Sequence, residues 1–311
     1  MPAKILVGSC SWTDPTLIAS GRFYPAGVTS AEARLRYYAT QFPIVEVDAT
    51  YYAPPSARNS ALWVARTPPD FVFDVKAFAL LTGHPARVDR LPAWLSDGLD
   101  AAALAKRNLY RKDLGPAALE RLWEVHRLAL APLAETGKLG AVLFQFPPWF
   151  VRSGENADYL RTLSANLPDV QIAVELRGGG WMEQTSAATT LRLLEKLRLA
   201  YVSVDEPQGF RSSTPPLAAA TSELAIVRLH GRNAATWEAR TATASDRFKY
   251  LYSEAELEEW ASRVRELAGQ AQTIHVLFNN NYQDWGMRNA RRMAHLLGSG
   301  AAPPHMQLDL A

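Results

Sequence analysis

Charged side chains recur in pairs near the ends of short apolar segments, and the members of each pair are two residues apart. The segment AIVRLHG (225–231) shows the pattern, because its apolar start leads into Arg228 and His230. Side chains two apart on a strand point to the same face. Carboxylates and imidazoles transfer protons, and cations bind anions, so these pairs favour acid–base chemistry on an anion. The pairs are Glu46 with Asp48, Asp74 with Lys76, Glu175 with Arg177, and Arg228 with His230.

Four side chains are candidate catalytic groups. Glu46 or Glu175 is predicted to act as the general base and His230 as the general acid. Asp205, at the end of AYVSVD (200–205), is predicted to be a further catalytic carboxylate. The alternative for any single pair is a structural ion pair that neutralises charge at a strand end.

The remaining candidates are predicted to bind the substrate. Lys76, Arg177 and Arg228 are expected to hold an anionic group, because ammonium and guanidinium groups are strong ligands of phosphate and carboxylate. Trp12 and Trp181 are each either core residues or part of a flat surface for a sugar ring or a base. The other predicted binding residues are Asp48, Tyr51, Gln145, Asn279 and Asn280.

These residues need a scaffold, and the apolar segments that carry them predict one. Near-continuous apolar segments that alternate with helical periodicity indicate parallel strands covered on both faces. Eight such segments favour a closed (β/α)8 TIM-type barrel, in which catalytic groups come from the C-terminal ends of the strands. The predicted strands are 4–9, 44–49, 71–76, 141–146, 172–177, 200–205, 225–230 and 274–279.

The chain of 311 residues is predicted to form one barrel domain over 1–311, with a flexible tail at about 298–311.

Two connections are unusually long. One runs from Ala77 to about Gly115, after the third strand, and the other from Gly231 to about Tyr252, after the seventh. Long connections after barrel strands usually lie over the active-site mouth.

Composition excludes several classes of protein. The net charge of +2 gives no general basic surface for nucleic acid or membrane. One cysteine, Cys10, rules out an internal disulfide and a cysteine-based zinc cluster. The N-terminal apolar run is too short for a signal peptide and no segment is long enough to span a membrane, which predicts a cytoplasmic protein. No Gly-rich phosphate loop, zinc-protease motif or nucleophile elbow is present, so no nucleotide cofactor is indicated.

The pattern favours an isomerase, epimerase or hydrolase acting on a small phosphate- or carboxylate-bearing substrate. Glu175, Asp205 and His230 are also suitable ligands for a divalent metal, although the neighbouring cations oppose tight binding of one. A protein acting on the phosphodiesters of nucleic acid is an alternative, by analogy with barrel nucleases. The absence of a Lys/Arg stripe weighs against it. A non-catalytic barrel that binds a ligand or partner at its mouth is the third interpretation.

The strand-end motifs resemble those of the YecE-like family, also called domain of unknown function family 72. The resemblance spans nearly the whole chain and implies a TIM-type barrel, without a settled activity. The motifs are GSCSW (8–12), FPIVEVDATYYAPP (42–55), FVFDVKA (71–77), LGAVLFQFPPWF (139–150), AVELRGGGW (173–181), VRLHGR (227–232) and VLFNNNYQDWGMRNA (276–290).

The chain departs from the family pattern at two motif positions and in one loop. Gly178 follows Arg177 where the family usually has histidine, which removes an acid–base group. Asp48 stands where the family usually has asparagine, which adds a carboxylate. The loop LTGHPARVDRLP (81–92) looks longer than its family counterpart, and it carries His84.

Overall fold

The structure, a computed structural model, describes residues 2–239 and 244–299. Each of the eight predicted segments forms a strand. The second strand is shorter than predicted, because the chain turns into a 3-10 helix directly after Asp48. The strands are β1 (Lys4–Ser9), β2 (Ile44–Val47), β3 (Val72–Lys76), β4 (Ala86–Arg87), β5 (Asn108–Leu109), β6 (Leu139–Phe146), β7 (Ile172–Leu176), β8 (Ala200–Asp205), β9 (Leu224–Leu229) and β10 (Thr273–Phe278).

Eight of these strands close into a parallel barrel, as predicted. The order around the described barrel is β1, β10, β9, β8, β7, β6, β3, β2, so the first and last strands pair and the sheet has no edge. β4 and β5 form a separate antiparallel pair. Parallel pairing brings the C-terminal ends of all eight barrel strands to one mouth.

Helices cover the outside of the barrel between the strands. α10 shows why they do so, because its buried residues Leu257, Trp260 and Val264 recur at helical spacing. Its start has a capping box, in which Ser253 and Glu256 each accept the other's backbone N–H. The α-helices of the described residues are α1 (Pro15–Ser20), α2 (Ala31–Gln41), α3 (Ala57–Ala65), α4 (Ala93–Ser96), α5 (Ala101–Leu104), α6 (Pro116–Glu135), α7 (Gly154–Asn166), α8 (Ala187–Lys196), α9 (Ala244–Arg247), α10 (Glu254–Leu267) and α11 (Trp285–Leu297).

The inside of the barrel changes from apolar to charged along the strands. A small apolar cluster fills its interior and includes Leu6, Leu143 and Ile226. Among these interior side chains Asp74 is paired with His275, whose Nδ1 lies 2.9 Å from the carboxylate. Nearer the C-terminal ends the inward-facing side chains are carboxylates, cations and amides, and these build the site.

The two long connections lie where the sequence predicts them. The first carries β4, β5 and His84, and the second carries Trp237 and Phe248; all three of these side chains border a cavity at the barrel mouth. None of the described helices is long and apolar enough to cross a membrane. α11 ends at Leu297, and the predicted tail lies outside the described residues from position 300 onward.

Candidate functional site

A buried ion-pair network lies beneath the barrel mouth and is centred on Arg228. Its Nε and Nη2 donate to the two oxygens of Glu46 at 2.8 and 2.6 Å, and its Nη1 donates to Glu175. Nη2 also lies 3.8 Å from the sulfur of Cys10. Arg228 is only 1% exposed and does not line the cavity, so it is not positioned to clamp a substrate there as predicted. It instead holds Glu46, which is equally enclosed and is not placed to act as a general base.

Glu175 is the second centre of this network. Its Oε1 accepts hydrogen bonds from Arg177 Nε at 2.8 Å and from Gln145 Nε2 at 2.6 Å. Burial opposes its ionisation, but Arg228, Arg177 and His230 outweigh that effect and hold the pKa of Glu175 well below its usual range. A carboxylate that is buried and paired in this way is a poor proton acceptor. Glu175 therefore positions Arg177 and Gln145, both of which reach the cavity.

His230 is also held inside the network. Asn279 Nδ2 lies 2.8 Å from its Nδ1, and Arg177 Nη2 lies 3.1 Å from its Nε2. Burial lowers the pKa of His230 to about 3, even though the Glu175 carboxylate opposes the shift. The ring is buried and neutral at pH 7 and does not line the cavity, so it is not placed to act as the predicted general acid.

Above the network lies an open cavity of about 520 Å³. Six of the predicted site residues line it: Asp48, Tyr51, Lys76, Gln145, Arg177 and Asn279. The other lining residues are Asp14, Tyr52, His84, Pro148, Trp149, Ser212, Trp237, Glu238, Ser245, Arg247, Phe248 and Asn281. The cavity thus combines cations, a buried carboxyl group and aromatic walls.

Lys76 and Asp48 are the charged groups that enter the cavity from β3 and from the end of β2. Burial lowers the pKa of Lys76, and the nearby Arg228 lowers it further. Burial raises the pKa of Asp48 to about 6, with Lys76 opposing the shift and Glu46 adding to it. Both pKa values therefore shift toward neutral pH, which is the direction in which proteins tune catalytic acids and bases.

His84 lies in the cavity wall between two aromatic side chains. Its ring centroid is 5.2 Å from that of Tyr51 and 5.6 Å from that of Trp149, and its Nδ1 lies 2.8 Å from Thr82 Oγ1. Burial lowers the pKa of His84 to about 3, and the charges of Lys76 and Arg177 add to this effect. The imidazole is therefore neutral at pH 7.

Two predicted residues face away from the cavity. Asp205 is held by Arg232 at 2.9 Å and by the Tyr252 hydroxyl at 2.7 Å, outside the barrel interior. Asn280 donates to Tyr250 and Asn289 instead of lining the mouth. The reason is that successive side chains of a strand point to opposite faces. Both residues are adjacent in the chain to an inward-facing residue, so their own side chains point outward. Neither side chain is brought into the cavity with the other predicted site residues.

Glu206 is a buried carboxyl group of the site that is absent from the sequence-based predictions. It continues the inward-facing series of β8 through Val202 and Val204, one position beyond the predicted Asp205. Its Oε1 accepts the Thr214 N–H at 2.7 Å, and its Oε2 lies 4.0 Å from Arg177 Nη1. Burial raises the pKa of Glu206 to about 7, opposed in part by Arg177. Counting alternate residues along the strand would have found it.

The two predicted tryptophans are packing residues. Trp12 packs edge-on against Trp63, with ring centroids 6.2 Å apart. Trp181 stacks on Phe150 at 5.7 Å and donates its Nε1–H to the Phe150 carbonyl at 2.6 Å. Neither side chain lines the cavity, which favours the core-residue alternative for both.

Two other tryptophans form part of the cavity wall. The Trp237 ring lies 5.2 Å from the Arg177 guanidinium, close enough for a cation–π contact. Trp149 is exposed at the rim. Both belong to loops, where the apolar periodicity that reveals strands gives no signal.

The candidate metal ligands are not brought together. Glu175 and His230 lie within the barrel mouth, whereas Asp205 faces outward to Arg232. In residues 2–239 and 244–299 no group of three or more His, Cys, Asp or Glu side chains is arranged to hold a metal ion.

The closed parallel barrel and the cavity at the C-terminal ends of its strands define a TIM-barrel protein. The chain belongs to the family described as protein of unknown function DUF72, whose model matches residues 6–308. This confirms the resemblance that the strand-end motifs show.

The relatives match along their full length. The UPF0759 protein YunF of Bacillus subtilis (strain 168) is 34% identical over 98% of this chain and 99% of its own. A crystal structure of a DUF72 family protein from Enterococcus faecalis V583 superposes with a TM-score of 0.76 at 27% identity, covering 97% of this chain and 99% of that one. A DUF72 family structure from Thermotoga maritima MSB8 gives 0.73 at 29% identity, with 95% and 99% covered.

Proposed function

We propose that the cavity binds a small substrate through a phosphate or carboxylate group and that the protein catalyses an acid–base reaction on it. Sugar phosphates and sugar acids are the substrate class that fits best. The observation that carries the proposal is the state of Lys76, whose ammonium group lines the cavity without a protein acceptor among the described residues.

Lys76 makes no hydrogen bond or ion pair through its side chain within the described parts of the chain. Its Nζ lies 4.8 Å from the Tyr51 ring centroid, and burial lowers its pKa. Its N–H donors are left without an acceptor in the described part of the protein, at the wall of an open cavity, in a side chain that is only half-buried. A bound anion would supply that acceptor, and Arg177 lines the same cavity as a second donor.

Asp48 is the proposed proton-transfer group. It lines the cavity, and burial raises its pKa to about 6. At pH 7 it is mostly ionised and accepts a proton, and the resulting acid can return it. Isomerisation, epimerisation and hydrolysis are the reactions that such a group supports beside a held anion.

The test is the affinity for inorganic phosphate and for sugar phosphates, measured by isothermal titration calorimetry. Lys76→Met should weaken binding about 10- to 100-fold, as expected for losing a hydrogen bond to a charged group of roughly 1.5–3 kcal/mol. Lys196→Met is the matched control, because Lys196 is an exposed lysine at the end of α8. Unchanged affinity in Lys76→Met would contradict the proposal.

A second arm of the same experiment separates catalysis from binding. Asp48→Asn should bind phosphate at least as tightly as the wild-type protein, because it removes a negative charge from the cavity, while losing turnover of any sugar phosphate that the wild-type protein converts. Binding without turnover in the wild-type protein would favour the non-catalytic barrel. Tighter binding of short oligonucleotides than of sugar phosphates, with steep salt dependence, would favour the nucleic-acid alternative.

A further inference from the structure

The rim of the cavity carries two large aromatic side chains that are open to solvent. Trp149 is 55% exposed and Tyr52 is 67% exposed, and both line the cavity. A single exposed aromatic residue is common on protein surfaces and needs no explanation. Two that border the same cavity place aromatic side chains at its entrance.

Trp149 is held in place although it is exposed. Its Nε1–H donates to the Gly83 carbonyl at 3.1 Å, and its ring packs at 72° to that of His84. The hydrogen bond joins the turn after β6 to the loop after β3. A side chain that is already ordered loses little rotamer freedom when a ligand packs on it.

The other aromatic residue leads down to the proposed anion site. Tyr52 packs at 89° to Tyr51, with ring centroids 5.0 Å apart. Tyr51 in turn lies 4.8 Å from Lys76 Nζ and 5.2 Å from the His84 ring. Aromatic surface therefore continues from the ammonium group to the rim.

The size and polarity of the cavity fit a ligand larger than an anion. A volume of about 520 Å³ is in the range that holds drug-sized organic molecules. A bare phosphate would leave most of it filled with water. Gln145, Asn281 and Glu238 add amide and carboxylate groups to the lining, which can pair with hydroxyl groups.

We propose that Trp149 and Tyr52 form a ring subsite, and that the ligand is a sugar phosphate whose ring packs on these side chains. The anionic group binds at Lys76 and Arg177, and the apolar face of the sugar lies against the aromatic rim. This inference rests on the proposed function, because it needs the anion site to place the ring.

The experiment compares ligands that do and do not carry a ring, by isothermal titration calorimetry on the full chain. The probes are inorganic phosphate, glycerol 3-phosphate, glucose 6-phosphate and adenosine monophosphate. Glucose 6-phosphate should bind roughly tenfold more tightly than the two ring-free phosphates, on the scale of one stacking contact. Trp149→Ala should remove that advantage while inorganic phosphate binds as before.

Two further variants control for structural effects. Trp149→Phe keeps an aromatic face and should keep most of the advantage of glucose 6-phosphate. Leu128→Ala removes an apolar side chain that is also 55% exposed but lies outside the cavity, on α6, and should change nothing.

The outcomes separate the two proposals. If all phosphates bind equally and Lys76→Met weakens them all, the ring subsite is wrong and the anion site stands. If no phosphate binds the wild-type protein, both proposals fail. Equal loss of inorganic phosphate and glucose 6-phosphate in Trp149→Ala would overturn the ring subsite. A Trp149-dependent preference for adenosine monophosphate over glucose 6-phosphate would overturn the assignment to a sugar.

Discussion

Glu206 sets the charge beside Arg177, the guanidinium group of the cavity. One of its oxygens accepts the Thr214 N–H, and the other has no hydrogen-bond partner among the described residues and lies 4.0 Å from Arg177 Nη1. With burial raising its pKa to about 7, this carboxyl group changes charge near neutral pH. Arg177 is less neutralised, and more available to an anion, when Glu206 is protonated.

The pH dependence of anion binding tests this role. Raising the pH from 6 to 8 ionises Glu206, adds negative charge beside Arg177 and should weaken binding of sulfate, whose own charge stays constant over this range. Glu206→Gln should remove the step near pH 7 and bind sulfate more tightly at pH 8. The step near pH 6 from Asp48 should remain. A sulfate pH profile that is identical in wild type and Glu206→Gln would contradict the role.

Stability gives the control for this variant. A carboxyl group whose folded pKa is raised from 4.5 to about 7 destabilises the folded state above pH 7 and has no such effect below pH 4.5. Glu206→Gln should therefore raise the free energy of unfolding at pH 8 by roughly 2–3 kcal/mol and change it little at pH 5. Urea denaturation at the two pH values measures the difference, and a destabilised variant would instead indicate a structural role.

At the scale of elements, the turn after β7 depends on a close approach of two loops. Gly178 has φ +64°, and a Cβ there would lie 2.3 Å from the Arg211 carbonyl oxygen. Its N–H donates to Thr214 Oγ1 at 3.3 Å, in the same loop that anchors Glu206. The departure from the family motif at this position therefore accompanies a backbone contact that leaves no space for a side chain.

Gly178→Ala should destabilise the protein more than a substitution that introduces backbone strain alone. Gly21→Ala is the matched control, because Gly21 has φ +62° and a Cβ added there would have no atom within 4 Å. In both variants, alanine in the left-handed backbone conformation lowers stability by about 1–2 kcal/mol. In Gly178→Ala the contact with Arg211 lowers it by at least ~1 kcal/mol more, through overpacking. Urea denaturation measures the free energy of unfolding of both variants. Equal losses of stability would show that the loop carrying Arg211 moves aside without an energetic cost.

The sequence predicts the positions of the barrel strands better than it predicts which way the side chains at their C-terminal ends point. Apolar segments that are buried on both faces locate all eight barrel strands, because strands of a parallel sheet that is covered on both sides have that pattern. The same segments do not show where a strand turns outward. For this reason the sequence pattern selects Asp205 as a site residue instead of Glu206. For the same reason it selects Asn280 together with Asn279, although only Asn279 lines the cavity.

At the scale of the whole molecule, the charged side chains at the barrel mouth form two groups. One group is buried and paired internally, and the other lines the cavity. Arg228 reaches Glu46 and Glu175, which are 182 and 53 residues away, and so joins β9 to β2 and β7. Lys76 and Arg177 face the cavity instead. The sequence shows that these groups converge but not which pairs close on each other, because that depends on packing across the barrel.

Arg228→Met should destabilise the protein by about 3–5 kcal/mol, because it leaves two carboxylates buried without their main partner. Arg292→Met is the control, since its pair with Glu254 is exposed and such surface ion pairs contribute little to stability. Adding Glu46→Gln to Arg228→Met should restore part of the loss by removing one unpaired charge. Urea denaturation of the four proteins at pH 7.5 measures these differences.

Lowering the pH separates loss of charge pairing from loss of packing volume. In the wild-type protein, the depressed pKa of Glu175 contributes stability above pH 4.5 that is lost as the pH falls below it. In Arg228→Met, Glu175 loses a positive charge that lowers its pKa and takes up a proton more readily, so the loss of unfolding free energy relative to wild type should narrow between pH 7.5 and pH 5. A deficit that stays constant with pH, or that Glu46→Gln does not reduce, would show that Arg228 acts through packing instead of charge.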